Sequence, residues 1–139
     1  MTAPGPAGDA VMVYLTDEAG RVLLVRARGL FAQIWMPPGG HIDTHIEEPP
    51  AVAACRELWE ELALCCQPDD LVLLGTCEKD VGTGTLTLFA ASCFDGTLSL
   101  GPEIAEARWV ELDGCHELPT LPATDEGLRL LAALRQPDH

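Results

Sequence analysis

Two adjacent prolines, Pro49 and Pro50, determine where a helix can begin in this chain. Proline lacks an amide hydrogen, and only the first turn of an α-helix leaves that donor without an intrahelical partner. Apolar side chains then recur at steps of three and four residues, which is typical of one buried helix face. These positions are Ala51, Ala54, Cys55, Leu58 and Leu62. The sequence therefore predicts an amphipathic helix from Pro49 to about Leu62.

An acidic run lies on the same helix, where Glu57, Glu60 and Glu61 follow Arg56. Residues three and four apart share a helix face, so these carboxylates project toward one patch and repel by roughly 0.2–0.5 kcal/mol per pair. A single arginine cannot neutralise them all. Mg²⁺ or Mn²⁺ can, because both prefer carboxylate oxygens and commonly join them to substrate phosphates. On these residues alone, a solvated acidic helix face is the commoner explanation.

The remaining apolar segments predict strands around this helix. Residues 10–15 and 21–26, joined by a polar turn, predict a β-hairpin. A short strand at 34–36 is predicted to end in a sharp turn at 37–40, Pro-Pro-Gly-Gly. Further strands are predicted at 71–77, 84–94 and 107–111, a helical turn at 113–117 and a closing helix at 125–134. This irregular alternation indicates an α+β fold, an α/β/α sandwich with a mixed β-sheet between helices.

The length and charge of the chain restrict its organisation and its partners. Its 139 residues are predicted to form one domain, 1–139, with a flexible Ala/Pro/Gly-rich start at 1–9. A formal net charge of −14 makes binding to nucleic acid or to an anionic membrane surface unfavourable. A polyanionic small molecule would need metal cations to approach. Neither a signal peptide nor a membrane-spanning run is recognisable, so a cytoplasmic location is expected.

The spacing upstream of the acidic run carries more specific information. Seven residues separate Glu48 from Arg56, and Gly39 and Gly40 lie further back. From Glu48 onward the order is Glu48, seven residues, Arg56, Glu57, Leu58, Trp59, Glu60, Glu61, Leu62, Ala63, Leu64. This order resembles the signature of the Nudix hydrolase family, G-x5-E-x7-R-E-U-x-E-E-x-G-U, in which U is a bulky aliphatic residue. The resemblance extends over roughly residues 10–135, including Leu-Leu-Val-Arg at 23–26 and the segment 103–112.

Two positions depart from that signature. Between Gly40 and Glu48 lie seven residues where the family has five, which puts in question whether the Gly40 carbonyl and Glu48 reach the metal. Ala63 stands where the family has glycine. If that position requires a positive φ, alanine costs on the order of 1 kcal/mol there, or the helix ends elsewhere. Neither departure removes a carboxylate from the helix.

The resemblance implies an activity and a set of metal ligands. The family cleaves nucleoside diphosphates linked to another group, through water activated by a divalent cation, here Mg²⁺ or Mn²⁺. By this resemblance Glu57, Glu60 and Glu61 bind the metal, with Gly40 and Glu48 as further ligands, and Arg56 holds Glu57. One of the helix glutamates, or a residue of a downstream loop, acts as the base. Glu103 is favoured over Glu106 for that role, and exposed acids without a role are the alternative.

Substrate contacts are predicted near the start of the chain. The guanidinium groups of Arg26 and Arg28 match phosphate oxygens, although surface positions explain them equally well. Trp35 is a candidate to stack on a base, with core packing as its alternative, and Gly39 and Gly40 are placed beside the substrate. The partner is therefore expected to be a nucleotide-type small molecule, bound by a monomer or a homodimer.

Two other functions remain open on the sequence. The resemblance includes relatives that isomerise prenyl diphosphates, but those carry a cysteine near the metal, and Cys55 lies on the apolar stripe. A nucleotide-sensing module without catalysis is the stronger alternative. Among substrates, nucleoside triphosphates, nucleotide sugars, ADP-ribose and dinucleoside polyphosphates are all compatible with the signature.

Overall fold

Seven β-strands form two sheets within residues 8–29 and 31–135, the part of the chain that the computed structural model describes. The predicted flexible start therefore lies largely outside the described residues. The elements are β1 Ala10–Leu15, β2 Val22–Ala27, β3 Trp35–Met36, β4 Gly39–His41, α1 Pro50–Leu62, β5 Val72–Glu78, β6 Thr85–Ala91, β7 Ile104–Val110 and α2 Pro122–Arg135. Short 3₁₀ turns occupy Thr44–Ile46, Pro68–Asp70 and Leu112–Glu117.

The two sheets differ in strand direction. The larger sheet has the order β4-β1-β6-β5, with β1 parallel to β6 and the other pairs antiparallel. The smaller sheet, β3-β2-β7, is antiparallel throughout. Helix α1 packs on β1 and β4, and α2 packs on β5 and β1. The predicted α+β class with a mixed sheet between helices is confirmed, and a second sheet is added to it.

Strand β1 is buried on both faces. Val11, Val13 and Leu15 belong to the same apolar core as α1, whereas Ala10 and Tyr14 belong to the core beneath α2. Side chains alternate between the two faces of a strand, so one short segment serves both helices. This position explains why the segment is almost continuously apolar rather than alternating.

The predicted hairpin between β1 and β2 is wrong. The two strands lie in different sheets and meet only near their connection, where the Asp17 N–H donates to the Arg21 carbonyl at 3.0 Å. The Asp17 carboxylate in turn accepts the backbone N–H and the side chain of Arg21, both at 2.8 Å. The connection is thus a corner between sheets. One edge of β1 is paired along its length with β6 and the start of the other edge with β4, and β2 meets this part of the chain only through the isolated Thr16–Val22 bridge.

The sharp turn predicted at 37–40 is only half correct. Pro37 and Pro38 carry the chain from the smaller sheet to the larger one, but Gly39 and Gly40 form strand β4. Gly39 is required by close approach, since a Cβ there would lie 2.0 Å from the Val11 carbonyl oxygen. The glycine pair therefore allows a strand to lie tightly against β1 and α1.

Helix α1 begins at Pro50, one residue after the predicted Pro49, and buries Ala53, Ala54, Leu58 and Leu62, whereas Ala51 and Cys55 of the predicted stripe are half-buried. Its end is also informative, because Ala63 adopts a left-handed conformation with φ 57° and donates its N–H to the Trp59 carbonyl at 3.0 Å. The helix thus ends where the signature places a glycine, with alanine in the strained conformation. None of the helices in the described part of the chain is long and apolar enough to span a membrane.

Candidate active site

A pocket of about 340 Å³ opens beside the last two turns of α1. Its walls are Glu57, Glu60 and Glu61 on one side and residues 101–104 on the other. The second wall contains Glu103, so the chain brings four carboxylate-bearing residues to one cavity although Glu103 lies 42 residues after Glu61 (103 − 61 = 42). The three helix residues reach it because they share the α1 face beside the buried stripe.

Strand β4 forms the floor against which two of these carboxylates rest. The Gly39 N–H donates to Glu61 Oε1 at 3.0 Å. A Cβ on Gly40 would lie 2.5 Å from the carboxylate carbon of Glu57, so no larger residue fits there without displacing that side chain. The structure therefore brings Gly39 and Gly40 beside the predicted metal ligands.

The electrostatics of this pocket are dominated by crowded negative charge. Burial raises the pKa of Glu61 to about 8, and the neighbouring charges of Glu57, Glu103 and Glu60 add to the effect. Burial also raises the pKa of Glu57, which Arg56 partly opposes. Mg²⁺ and Mn²⁺ prefer oxygen ligands, and carboxylates whose negative charge is not balanced by a neighbouring cation are suitable ligands for them. The residues present therefore fit a hard divalent cation.

Arg56 is the main organiser of the helix carboxylates. Its guanidinium donates to Glu57 at 3.0 Å, to Glu60 at 2.6 Å and to the His41 carbonyl at 2.9 Å, in addition to Glu48. The bonds to Glu48, with smaller contributions from Glu60 and Glu57, hold the pKa of Arg56 above its usual range. Among the described residues, no three His, Cys, Asp or Glu side chains already stand as a formed metal site. Three of the candidate ligands, Glu48, Glu57 and Glu60, are instead directed at Arg56.

Glu48 lies on the far side of that guanidinium. Its buried carboxylate takes a two-pronged bond from Arg56 at 2.8 and 2.9 Å and also accepts the Asp43 N–H at 3.0 Å. The bonds from Arg56 lower the pKa of Glu48. Glu48 therefore holds Arg56 and does not line the pocket. The sequence analysis did not predict this pairing.

The two extra residues of the loop are accommodated by a small outward turn. Thr44–Ile46 form one 3₁₀ turn, whose start is capped by the Asp43 carboxylate accepting the His45 N–H at 3.0 Å. Ile46 projects with 67% of its surface exposed, and Glu47 returns the chain through a left-handed conformation with φ 50°. The longer loop therefore bulges into solvent and still delivers Glu48 to Arg56.

Glu103 and Glu106 have different surroundings, although they are three residues apart. Glu103 precedes β7 and lines the pocket. Glu106 lies within β7, which begins at Ile104 rather than at the predicted 107, and it pairs with Arg26 at 2.8 Å and Arg108 at 3.6 Å. Of the two candidate bases, only Glu103 faces the helix glutamates.

The predicted substrate contacts are only partly assembled around the pocket. Arg26 is occupied by Glu106 and by the Ala32 carbonyl, at 2.9 Å, and its guanidinium carbon lies 5.5 Å from the centre of the Trp35 ring. Arg108 approaches the same ring at 5.0 Å. Trp35 is 5% exposed, so its ring belongs to the core and does not offer a stacking face. The register of β2 with β3 and β7 places Trp35 and Glu106 beside Arg26, and the sequence alone did not reveal this register.

Arg28 differs from Arg26 in being exposed next to the pocket. Its backbone N–H donates to the Glu103 carbonyl at 2.9 Å, which ties the end of β2 to the loop that carries Glu103. The backbone of Arg28 is therefore fixed beside Glu103, and its side chain is exposed to solvent.

Comparison with known proteins agrees with this geometry. The profile of the NUDIX domain matches residues 6–131. A curated relative, the m7GpppN-mRNA hydrolase NUDT17 of Danio rerio, is 38% identical over 77 residues, which cover 51% of this chain and 25% of that protein. The chain thus matches about a quarter of the length of that relative.

Solved structures share the fold. The MutT NUDIX hydrolase from Burkholderia pseudomallei has a TM-score of 0.77 at 24% identity, covering 91% of this chain and 99% of that chain. The NUDIX domain of Shewanella oneidensis NrtR, solved in complex with ADP-ribose, has a TM-score of 0.75 at 17% identity, covering 95% and 90%. Because the domain profile spans most of the sequence and the predicted acidic helix lies in a matching fold, the chain belongs to the Nudix family.

Proposed function

We propose that this chain hydrolyses a pyrophosphate bond in a nucleoside diphosphate derivative with the help of Mg²⁺ or Mn²⁺. The observation that carries the proposal is the pocket in which Glu57, Glu60, Glu61 and Glu103 converge. Glu57 and Glu61 are partly buried, Glu60 and Glu103 are exposed, and Arg56 bonds only two of the four, so a divalent cation bound there would stabilise the protein. The phosphates of a nucleotide then complete the coordination that the protein leaves open.

Glu57, Glu60 and Glu61 are the residues that would hold the cation, and Gly40, whose backbone lies beside the Glu57 carboxylate, is the candidate for a further carbonyl ligand. When bound, the cation neutralises charge on the phosphates and lowers the pKa of a water molecule. Glu48 has a supporting role in this proposal, because both of its carboxylate oxygens are taken by Arg56.

The side chains of the protein contribute position and proton acceptance. Glu103 faces the helix glutamates across the pocket and is suited to accept a proton from the attacking water. Arg56 orients Glu57 and Glu60 through its charge-assisted bonds. Arg28, which is exposed and bonded through its backbone N–H to the Glu103 carbonyl, is suited to bind a phosphate of the substrate.

The substrate is expected to be a small nucleotide. NUDT17 is named as a hydrolase of mRNA caps, so capped ends join the candidates, and NrtR was solved with ADP-ribose, which supports a candidate already expected from the sequence. A formal charge of −14 disfavours contact with a long polyanion and favours a compact substrate brought in with its cation.

The deciding experiment is a hydrolysis panel with Mg²⁺ and with Mn²⁺. It comprises nucleoside triphosphates, a nucleotide sugar, ADP-ribose, a dinucleoside polyphosphate and a methylated cap dinucleotide, with phosphate and pyrophosphate measured separately. Cleavage of at least one substrate that disappears with EDTA supports the proposal. Tight nucleotide binding without any turnover across the panel would instead establish a sensing module.

A further inference from the structure

The loop that carries Glu103 is attached to the C-terminal end of α1. The last carbonyls of a helix have no intrahelical partner. Here the Gly101 N–H donates to the Glu61 carbonyl at 2.8 Å, and the Ser99 N–H donates to the Leu62 carbonyl at 3.0 Å. The loop therefore satisfies the end of the helix and, by the same bonds, takes its position from the helix that bears the other carboxylates.

Residues 101–104 form a tight turn at this attachment. The Ile104 N–H donates to the Gly101 carbonyl at 3.1 Å, and Pro102 occupies the position at which a turn favours a fixed φ. The Glu103 carbonyl accepts the Arg28 N–H at 2.9 Å. Glu103 is thus held between Gly101, which is bonded to the end of α1, and Arg28, which follows β2.

Gly101 has no space for a side chain at this point. A Cβ there would lie 2.6 Å from the Glu60 carbonyl oxygen and 3.3 Å from that of Glu61. Both contacts are with the backbone of α1, which cannot rotate away as a flexible side chain would. Any residue larger than glycine must push the turn away from the helix, and Glu103 with it.

We propose that Gly101 is a positioning residue that sets the distance between Glu103 and the carboxylates of α1. The inference rests on the proposed function in assigning Glu103 to the cation or to the attacking water. In this inference Gly101 contacts neither the cation nor the attacking water, because the effect of Gly101 on Glu103 passes through the turn. A displacement of about 1 Å in a catalytic group can reduce turnover by up to about 100-fold.

The test is a double-mutant cycle of Gly101→Ala and Glu103→Gln, read first as Mn²⁺ affinity by electron paramagnetic resonance without substrate. It is read again as kcat and KM on a hydrolysed nucleotide. In the parent background we expect Gly101→Ala to weaken Mn²⁺ binding or lower kcat about tenfold, and in the Glu103→Gln background less than about twofold. Equal losses in both backgrounds, or no loss in either measurement, would overturn the inference.

Two further variants keep this cycle interpretable. Gly114→Ala is the matched control, because a Cβ there meets only the Glu117 carboxylate at 3.9 Å, and it should leave both measurements unchanged. If Gly101→Ala does not fold, Pro102→Gly loosens the same turn without a clash, and the cycle with Glu103→Gln should show the same coupling at about threefold.

The cycle also separates this inference from the proposed function. A parent protein that binds Mn²⁺ with coupled Gly101 and Glu103 but cleaves nothing on the panel would refute hydrolysis and retain the role of Gly101. A parent protein that cleaves nucleotides without such coupling would refute the role of Gly101 alone. A parent protein that binds no Mn²⁺ and cleaves nothing would refute both.

Discussion

Two clusters combine arginine and glutamate side chains. One contains more glutamates than arginines, and the other contains more arginines than glutamates. In the first, which we call the Arg56 cluster, one guanidinium binds Glu48, Glu57 and Glu60. In the second, the Trp35 cluster, the single carboxylate of Glu106 serves Arg26 and Arg108, whose guanidinium groups lie against the Trp35 ring. The first has an excess of negative charge and the second an excess of positive charge.

Under the proposed function, we infer that the sign of the excess charge, rather than the presence of ion pairs, separates the proposed cation site from the structural cluster around Trp35. Negative excess beside a pocket is relieved by a metal cation. Positive excess packed on a buried ring is already stabilised by cation–π contact and by strand pairing. We therefore expect substitutions in the two clusters to affect metal binding and activity very differently.

The largest effect is expected from Glu61→Gln. The amide oxygen retains the bond from the Gly39 N–H but not the charge, so turnover should fall at least about 100-fold. Without metal, at neutral pH, the same variant should unfold at a higher temperature than the parent, because the folded parent must hold on Glu61, whose pKa is about 8, a proton that the unfolded chain releases. The rise in Tm on adding Mg²⁺ should shrink. Glu78→Gln, at an exposed position of β5, is the control and should change none of these measurements. A similar loss of turnover in Glu78→Gln would refute the assignment of Glu61 to the cation.

Arg56→Ala is expected to cost about 2–4 kcal/mol of unfolding free energy, since it leaves the buried Glu48 carboxylate without its partner. Denaturant unfolding measures this cost. The matched control is Arg129→Ala, which breaks the exposed pair with Glu126 and should leave the midpoint nearly unchanged. Equal midpoints for the two variants would show that the Glu48 pair contributes no more than a surface contact.

Glu106→Gln should have a smaller effect, confined to stability. The half-exposed pair with Arg26 contributes at most about 1 kcal/mol, and turnover should stay within about threefold of the parent.

Glu103→Gln, by contrast, should lower kcat about 100-fold with little change in unfolding. Reversed outcomes for these two variants would place the base in β7 and remove the distinction between the clusters.

The smallest expected effect is a gain from Ala63→Gly at the end of the helix that presents the acidic residues. Glycine adopts a positive φ without strain, so the variant should be more stable by about 0.5–1 kcal/mol, with unchanged Mn²⁺ affinity. Urea unfolding and Mn²⁺ titration measure the two quantities. Ala133→Gly, near the exposed end of α2, should destabilise instead, and a gain there as well would exclude the conformational explanation.

The features predicted correctly depend on local information. Pro50 and the three- and four-residue steps placed α1 and its buried face, and the spacing of Arg56 and the glutamates identified the family. The hairpin failed because strand pairing depends on distant partners, here β4 and β6. For the same reason the sequence could not reveal that Trp35 would be covered by Arg26 and Arg108, since their approach depends on register between three strands.

The outward turn at Thr44–Ile46 has a practical consequence for recognising relatives of this chain. A search that demands a fixed number of residues between Gly40 and Glu48 would reject a sequence whose side chains nevertheless reach the same partners. In this chain one guanidinium, that of Arg56, binds both oxygens of the buried Glu48 carboxylate, and the two additional loop residues do not prevent that contact. The tip around Ile46 is accordingly the place to graft a peptide tag or a fluorophore without disturbing the pocket.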